Sequence, residues 1–136
     1  MNNVEDELIG KIQTITVTMT EKMIKDFAKV SGDFNPIHID EGYAKNTIFG
    51  KRISHGMLVG SFISNVIANK LPGPGTIYLS QNFSFKNPVF IGDEITAIVE
   101  VLEKKEQKPI YRLKTTCVNQ DDKVVIEGES YVRYEK

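Results

Sequence analysis

The chain has 136 residues, enough for one domain of ordinary size, so we expect a single domain over residues 1–136. Its 17 Lys and Arg against 18 Asp and Glu give a net charge of −1, which excludes a basic field for nucleic-acid backbones. A hydrophobic content of 40% excludes a disordered chain, and no long uninterrupted apolar stretch predicts a membrane span. The acidic amino terminus lacks a signal-peptide pattern and the single cysteine, Cys117, fits a reducing compartment, so we expect a cytoplasmic protein.

The first predicted elements are a strand and a helix. Threonines alternate with apolar residues over positions 14–19, which is typical of a half-buried strand. Thr20 is suited to cap the amino end of a helix, and Gly32 is suited to end it. The apolar residues of this helix recur at spacings of three and four: Met23, Ile24, Phe27 and Val30.

A proline interrupts the chain directly after this helix. Pro36 has no N–H and pushes Asn35 toward an extended conformation, so residues 33–38 are predicted to form a loop. Asp40 can then cap a short helix. Residues 49–52 are predicted to be an exposed connection.

The remainder is predicted to be one buried helix followed by antiparallel strands. Residues 56–70 have apolar side chains around most of the helix circumference, and the Pro- and Gly-rich residues 71–75 end that helix. This order predicts an α+β fold with a sheet of about five strands. Such a sheet leaves edge strands, which a homodimer would cover. The later strands are predicted at 77–79, 83–85, 95–101, 110–118 and 124–134.

Candidate catalytic residues are few, because the chain has only two histidines, His38 and His55. Asp33 lies five residues before His38, and a carboxylate beside an imidazole offers two proton-transfer groups near neutral pH. The alternative is that Asp33 and Asn35 only stabilise an ordinary turn, through hydrogen bonds from their side chains to the nearby backbone. His55 has no partner nearby in the sequence and is interpreted as a structural neighbour of the buried helix.

Metal binding is a weaker interpretation of the same region. Asp33, His38, Asp40 and Glu41 all carry possible ligand atoms, but their spacing matches no metal-binding motif. We therefore predict no metal.

The start of the buried helix offers backbone donors. The first N–H groups of a helix have no acceptor within it, and a glycine, here Gly56, lets a ligand carbonyl approach the main chain. This is what an oxyanion hole requires. The alternative is that Ser54 or His55 simply caps the helix.

Four segments taken together resemble the MaoC-like hydratases, the family of (R)-specific enoyl-CoA hydratases and dehydratases. The segments span most of the chain and occur in the same order as in the family. They read SGDFNPIHID at 31–40, HGM at 55–57, LPGPGTIYL at 71–79 and FSFKNPVFIGDE at 83–94.

The resemblance implies a hot-dog fold, in which a curved antiparallel sheet wraps a long central helix, assembled as a homodimer. It implies that Asp33 and His38 are the catalytic pair, that the Gly56 N–H binds the thioester carbonyl and that Ser64 is a pocket residue. Asn35 is expected to order the loop. An acyl-CoA thioester is the implied substrate and no cofactor is expected.

The implied reaction is the reversible hydration of a trans-2-enoyl-CoA to a (3R)-3-hydroxyacyl-CoA, by a lyase that adds water to one face of the alkene. Two alternatives share the fold: an acyl-thioesterase and a non-catalytic acyl-thioester-binding module. Ile67 lies about one turn beyond Ser64, and we hypothesise that it limits the acyl pocket to short chains.

Overall fold

A computed structural model describes residues 6–135, which form six strands and four helices. None of the helices within this range is both long and apolar enough to cross a membrane. In chain order the elements are β1 (Ile12–Thr18), α1 (Glu21–Ser31), α2 (Pro36–Ile39), α3 (Glu41–Lys45), α4 (Gly56–Asn69), β2 (Ile77–Gln81), β3 (Ser84–Phe85), β4 (Glu94–Lys104), β5 (Ile110–Val118) and β6 (Val124–Arg133).

The strands form one antiparallel sheet in the order β1-β4-β5-β6-β2, with the short β3 also paired to β6. Helix α4 contacts β1, β4, β5 and β6, so the sheet packs along the whole helix. This arrangement confirms the predicted α+β class and the hot-dog fold. The sheet has six strands, of which β3 contributes only two residues, so the number of longer strands is five, in line with the predicted sheet.

The core lies between α4 and the sheet. Along β4 every second residue is buried from Ile95 to Val101, as expected for a strand with one face against a core. Helix α4 is buried on most of its circumference, as its apolar composition predicted. Its fully or nearly fully buried residues are Val59, Ile63, Val66 and Ile67.

Local sequence signals place the ends of α1 as predicted. The Thr20 hydroxyl accepts a hydrogen bond from the Met23 N–H at 3.1 Å, and Gly32 ends the helix with a left-handed φ of 79°. The buried face of α1 was predicted less accurately than its ends. Ile24 is fully buried, but Val30 is 86% exposed because α1 covers the core only with its first two turns.

Candidate active site

The segment between α1 and α3 departs from its predicted loop conformation. Residues 33–35 are irregular, but Pro36 begins the single helical turn α2. Proline is tolerated at the first position of a helix, where its missing N–H has no intrahelical acceptor in any case. The Asn35 side chain caps this turn by accepting a hydrogen bond from the Ile37 N–H at 3.2 Å. This contact is consistent with the expected role of Asn35 in ordering the segment.

His38 lies on this helical turn and is 8% exposed. Its Nδ1 lies 2.8 Å from the Ile53 carbonyl oxygen, and because a carbonyl only accepts, Nδ1 carries the proton. The lone pair of Nε2 is therefore available to a ligand. Burial lowers the pKa of His38 below its ordinary value and favours the neutral imidazole, although the bond to Ile53 acts in the opposite direction.

Asp33 lies beside His38, at the end of the irregular segment nearest α1. Its carboxylate accepts from the Asn35 N–H at 3.2 Å, while its own N–H donates to the Ser31 hydroxyl at 3.1 Å. The side chain is exposed. Polar side-chain atoms of Asp33, His38 and His55 all lie within 4.8 Å of one another, so the structure brings the predicted pair together and adds a second histidine.

His55 also lies at this site, where it contacts residues that are distant from it in the sequence. Its Nε2 donates to the Asp33 carbonyl oxygen at 2.9 Å, and its ring centroid lies 3.9 Å from that of His38. These contacts join residues 17 and 22 positions apart along the chain. Sequence spacing therefore contained no signal for them.

The start of α4 has no side-chain cap. His55 is the residue before the helix, but its side chain makes no capping hydrogen bond, and the Ser54 hydroxyl donates to the His55 carbonyl instead. The capping interpretation of Ser54 and His55 is therefore wrong. The first backbone N–H groups of α4, including that of Gly56, remain available to an acceptor such as a thioester carbonyl.

Gly56 also has a structural reason to be glycine. A Cβ at this position would lie 2.5 Å from a ring carbon of Phe85. The aromatic ring thus packs directly on the helix start, which only glycine permits without displacement of the ring. Ligand access was the reason considered from the sequence, and close packing is a second reason.

A cavity of about 390 Å³ connects these features. Its polar wall holds Asp33, His38 and His55, and Gly56 lies at the same wall. Apolar side chains, including those of Phe85 and others on β6 and α4, form the remainder. A site with a few converging polar groups in an apolar cleft is typical of a small-molecule pocket.

Asp33, His38 and His55 are also residue types that could hold a metal ion, so the absence of a metal stays a prediction. One ring nitrogen of each histidine is engaged with a backbone carbonyl, His38 Nδ1 with that of Ile53 and His55 Nε2 with that of Asp33. The two other acidic residues considered for a metal site are used elsewhere. Asp40 caps α3 by accepting from the Tyr43 N–H, and Glu41 pairs with Arg52.

Comparison with known proteins places this chain in a family. The family model described as "MaoC like domain" matches residues 5–123. The chain belongs to the MaoC-like family. It is 46% identical to an (R)-specific enoyl-CoA hydratase of Rhodospirillum rubrum, over 94% of this chain and 88% of that protein. It is 48% identical to an (R)-specific enoyl-CoA hydratase of Aeromonas caviae, over 79% of this chain and 80% of the relative.

The fold of this MaoC-like chain is also that of a solved relative. The structure described as an (R)-hydratase from A. caviae involved in PHA biosynthesis superposes with a TM-score of 0.92 at 40% identity. The superposition covers 96% of this chain and 99% of the other. The resemblance stated from sequence motifs is thereby confirmed at the level of family and fold.

Ser64 lies apart from the other predicted site residues of the MaoC-like chain. It is half-buried on α4, eight residues beyond Gly56, which corresponds to about 12 Å along the helix. It does not line the 390 Å³ cavity of the single protomer. Its role in a pocket stays a prediction.

Arg52 supports the site and was missed by sequence reasoning. It was placed in an exposed connection, yet its side chain is only 13% exposed and pairs with Glu21 of α1 at 3.1 Å and Glu41 of α3 at 2.7 Å. These ion pairs link the helices on either side of α2, which carries His38. The charge of Arg52 was visible in the sequence, but its two partners lie 31 and 11 residues away.

Proposed function

We propose that this MaoC-like chain is an (R)-specific enoyl-CoA hydratase, a lyase that reversibly adds water to a trans-2-enoyl-CoA to give the (3R)-3-hydroxyacyl-CoA. The observation that carries the proposal is the meeting of Asp33, His38 and the uncapped start of α4 at one cavity. The names of the hydratase relatives support it.

The geometry provides each group that the reaction needs. A water held between the Asp33 carboxylate and His38 Nε2 attacks carbon 3, while one of its O–H bonds breaks and the alkene electron pair moves toward the thioester oxygen. The Gly56 N–H stabilises that oxygen, and a proton returns from the pair to carbon 2 on the same face. The pair as a unit moves the proton. The CoA thioester is the substrate and the proposal includes no cofactor.

The test is the loss of enoyl-thioester ultraviolet absorbance with crotonyl-CoA, followed by oxidation of the product with an (R)-specific dehydrogenase. Asp33→Asn and His38→Gln should each lower kcat by about 10²- to 10⁴-fold, because each removes a proton-transfer group. Asp26→Asn is the matched control, since Asp26 is an exposed α1 residue paired with Lys22, and it should retain wild-type activity.

Two outcomes would contradict this assignment. Release of free thiol without hydration would indicate the thioesterase alternative. Binding of crotonyl-CoA with no turnover of any enoyl-thioester would indicate a non-catalytic binding module.

The proposal includes a preference for short acyl chains. Ile67 is 2% exposed on α4, one turn beyond Ser64, and it does not line the 390 Å³ cavity of the single protomer; in the proposal its branched side chain limits the space for a longer acyl group. In the same assay, wild type should act on crotonyl-CoA in preference to longer enoyl-CoAs, and Ile67→Ala should extend activity to longer chains. No gain with longer chains in Ile67→Ala would contradict this part.

The proposal also includes a homodimer in the cytoplasm. Strand β2 pairs with β6 on one side only, and its residues Ile77 and Leu79 are 56% and 51% exposed. A second copy would cover this apolar edge. Cys117 is buried as a free thiol, which is compatible with a reducing compartment.

A further inference from the structure

We infer that His55 is a positioning residue that holds both members of the catalytic pair, by a hydrogen bond to the backbone of Asp33 and by ring contact with His38. The inference rests on the proposed hydratase function. It assigns a role to a residue that does not itself move a proton in the mechanism above.

The first contact concerns the backbone of Asp33. This residue lies just after the left-handed Gly32, in an exposed and irregular segment that has no regular secondary structure to hold it. The Nε2–H of His55 donates to the Asp33 carbonyl at 2.9 Å. His55 is 2% exposed, so a buried group anchors the exposed member of the pair.

The second contact concerns the ring of His38. The two imidazole rings have centroids 3.9 Å apart and are tilted by only 31°, so His55 packs against a face of His38. The bond from His38 Nδ1 to Ile53 fixes one edge of the ring, and the contact with His55 prevents it from tilting about that bond. Nε2 is thereby held toward the cavity.

The surroundings of His55 show that packing alone does not explain a histidine here. Its Nδ1 is buried and has no hydrogen-bond partner in the part of the chain that the structure describes. An unpaired buried acceptor costs free energy, which an apolar ring of similar shape would avoid. Phe27 already contacts the ring at 4.9 Å between centroids, so the environment is suited to such an apolar ring. The hydrogen bond to the Asp33 carbonyl explains why this position holds a histidine rather than an apolar aromatic residue.

Two variants separate the two contacts. His55→Phe keeps a flat ring against His38 and loses the donor to Asp33, whereas His55→Gln keeps an N–H donor and loses the ring. A third variant, Val99→Ala, truncates a fully buried β4 residue outside the cavity and serves as the control for lost packing.

We expect His55→Phe to lower kcat for crotonyl-CoA by roughly 10-fold or more with little change in KM, because misplacement of a catalytic group weakens the transition state more than substrate binding. Its thermal midpoint should be no lower than that of wild type, since an unpaired buried nitrogen is removed. His55→Gln should retain more kcat than His55→Phe. Val99→Ala should lower the thermal midpoint and keep the wild-type kcat.

A readout independent of activity is the nitrogen NMR spectrum of His38. Wild type should show a single tautomer with the proton on Nδ1. His55→Gln should show a mixture of tautomers or broadened signals, because without the ring contact the His38 ring can tilt and weaken the Nδ1 bond to Ile53 that fixes the tautomer.

Wild-type kcat in His55→Phe would overturn the inference. So would a fall in kcat accompanied by a fall in thermal midpoint as large as that of Val99→Ala, which would indicate a structural role. If wild type itself hydrates no enoyl-CoA, the proposed function fails, and an unchanged His38 spectrum in His55→Gln would overturn the positioning role separately.

Discussion

Burial of the His38 imidazole links the stability of this protein to pH. His38 is nearly enclosed, and desolvation lowers its pKa below the ordinary value of 6.5. Its neutral form, with the Nε2 lone pair free, therefore persists at pH values where an exposed histidine would be protonated. The folded protein binds fewer protons at this site than the unfolded chain when the pH falls below 6.5.

The sign of the stability change follows from this difference. At pH values well above 6.5 His38 is neutral in both states and adds no pH dependence. As the pH falls from there toward the lowered folded-state pKa, the unfolded state is favoured, and stability is lost. Wild type should therefore lose more thermal stability between pH 7.5 and pH 5 than His38→Gln does, as measured by calorimetry. Equal losses in the two proteins would contradict the lowered pKa.

At the scale of elements, two aromatic residues of the chain around β3 pack on two glycines of α4. Phe85 lies over Gly56 at the cavity wall, and Phe83 lies over Gly60, where a Cβ would approach a ring carbon to 2.7 Å. Gly60 does not line the cavity. Both glycines are thus in close contact with an aromatic ring, but only Gly56 lines the cavity together with Asp33, His38 and His55.

We predict that Gly56→Ala lowers kcat/KM by roughly 10-fold or more, because the displaced Phe85 ring reshapes the wall next to the N–H donor of α4. Gly60→Ala is the matched comparison: it should reduce thermal stability and leave kcat/KM near the wild-type value. Steady-state kinetics and thermal melts measure both effects. Equal losses of kcat/KM in the two variants would show that the clash acts through the whole helix rather than through the site.

At the scale of the whole molecule, the sheet has two edges of different character. On β1, threonines 14, 16 and 18 are exposed, and Ile12 is the exposed apolar residue of that strand. On β2, three consecutive large residues are exposed, Ile77, Tyr78 and Leu79. An apolar unpaired edge favours association with another strand, so β2 is the edge that we expect a second copy to cover.

We predict that Leu79→Lys shifts the protein from dimer to monomer in analytical ultracentrifugation, because a buried lysine without a partner opposes association. Ile12→Lys makes the same change on the opposite edge and should remain dimeric. A wild-type protein that is monomeric at micromolar concentration, or an Ile12→Lys variant that dissociates while Leu79→Lys does not, would contradict the assignment of this edge.

Local sequence signals predicted much of the fold, and individual residues show which features these signals predicted correctly and which they did not. Thr20, Gly32 and Asp40 act at helix ends as predicted, because capping bonds join residues two to four positions apart. Pro36 was interpreted only as a helix breaker, although its position after a capping Asn35 also allowed the start of a helix. Val30 followed the helical period but lies beyond the part of α1 that covers the core.

The sequence by itself determined most of the element types and the family, and it predicted that Asp33 and His38 face one pocket, since periodicity, capping and motif spacing are properties of neighbouring residues. Only the tertiary structure decided how His55, Arg52 and Phe85 act. Their partners lie 11 to 31 residues away along the chain or on another element, as for His55 with Asp33, Arg52 with Glu21 and Glu41, and Phe85 with Gly56. Such contacts form only when the sheet, α4 and the segment between α1 and α3 pack together, and no local pattern encodes that packing.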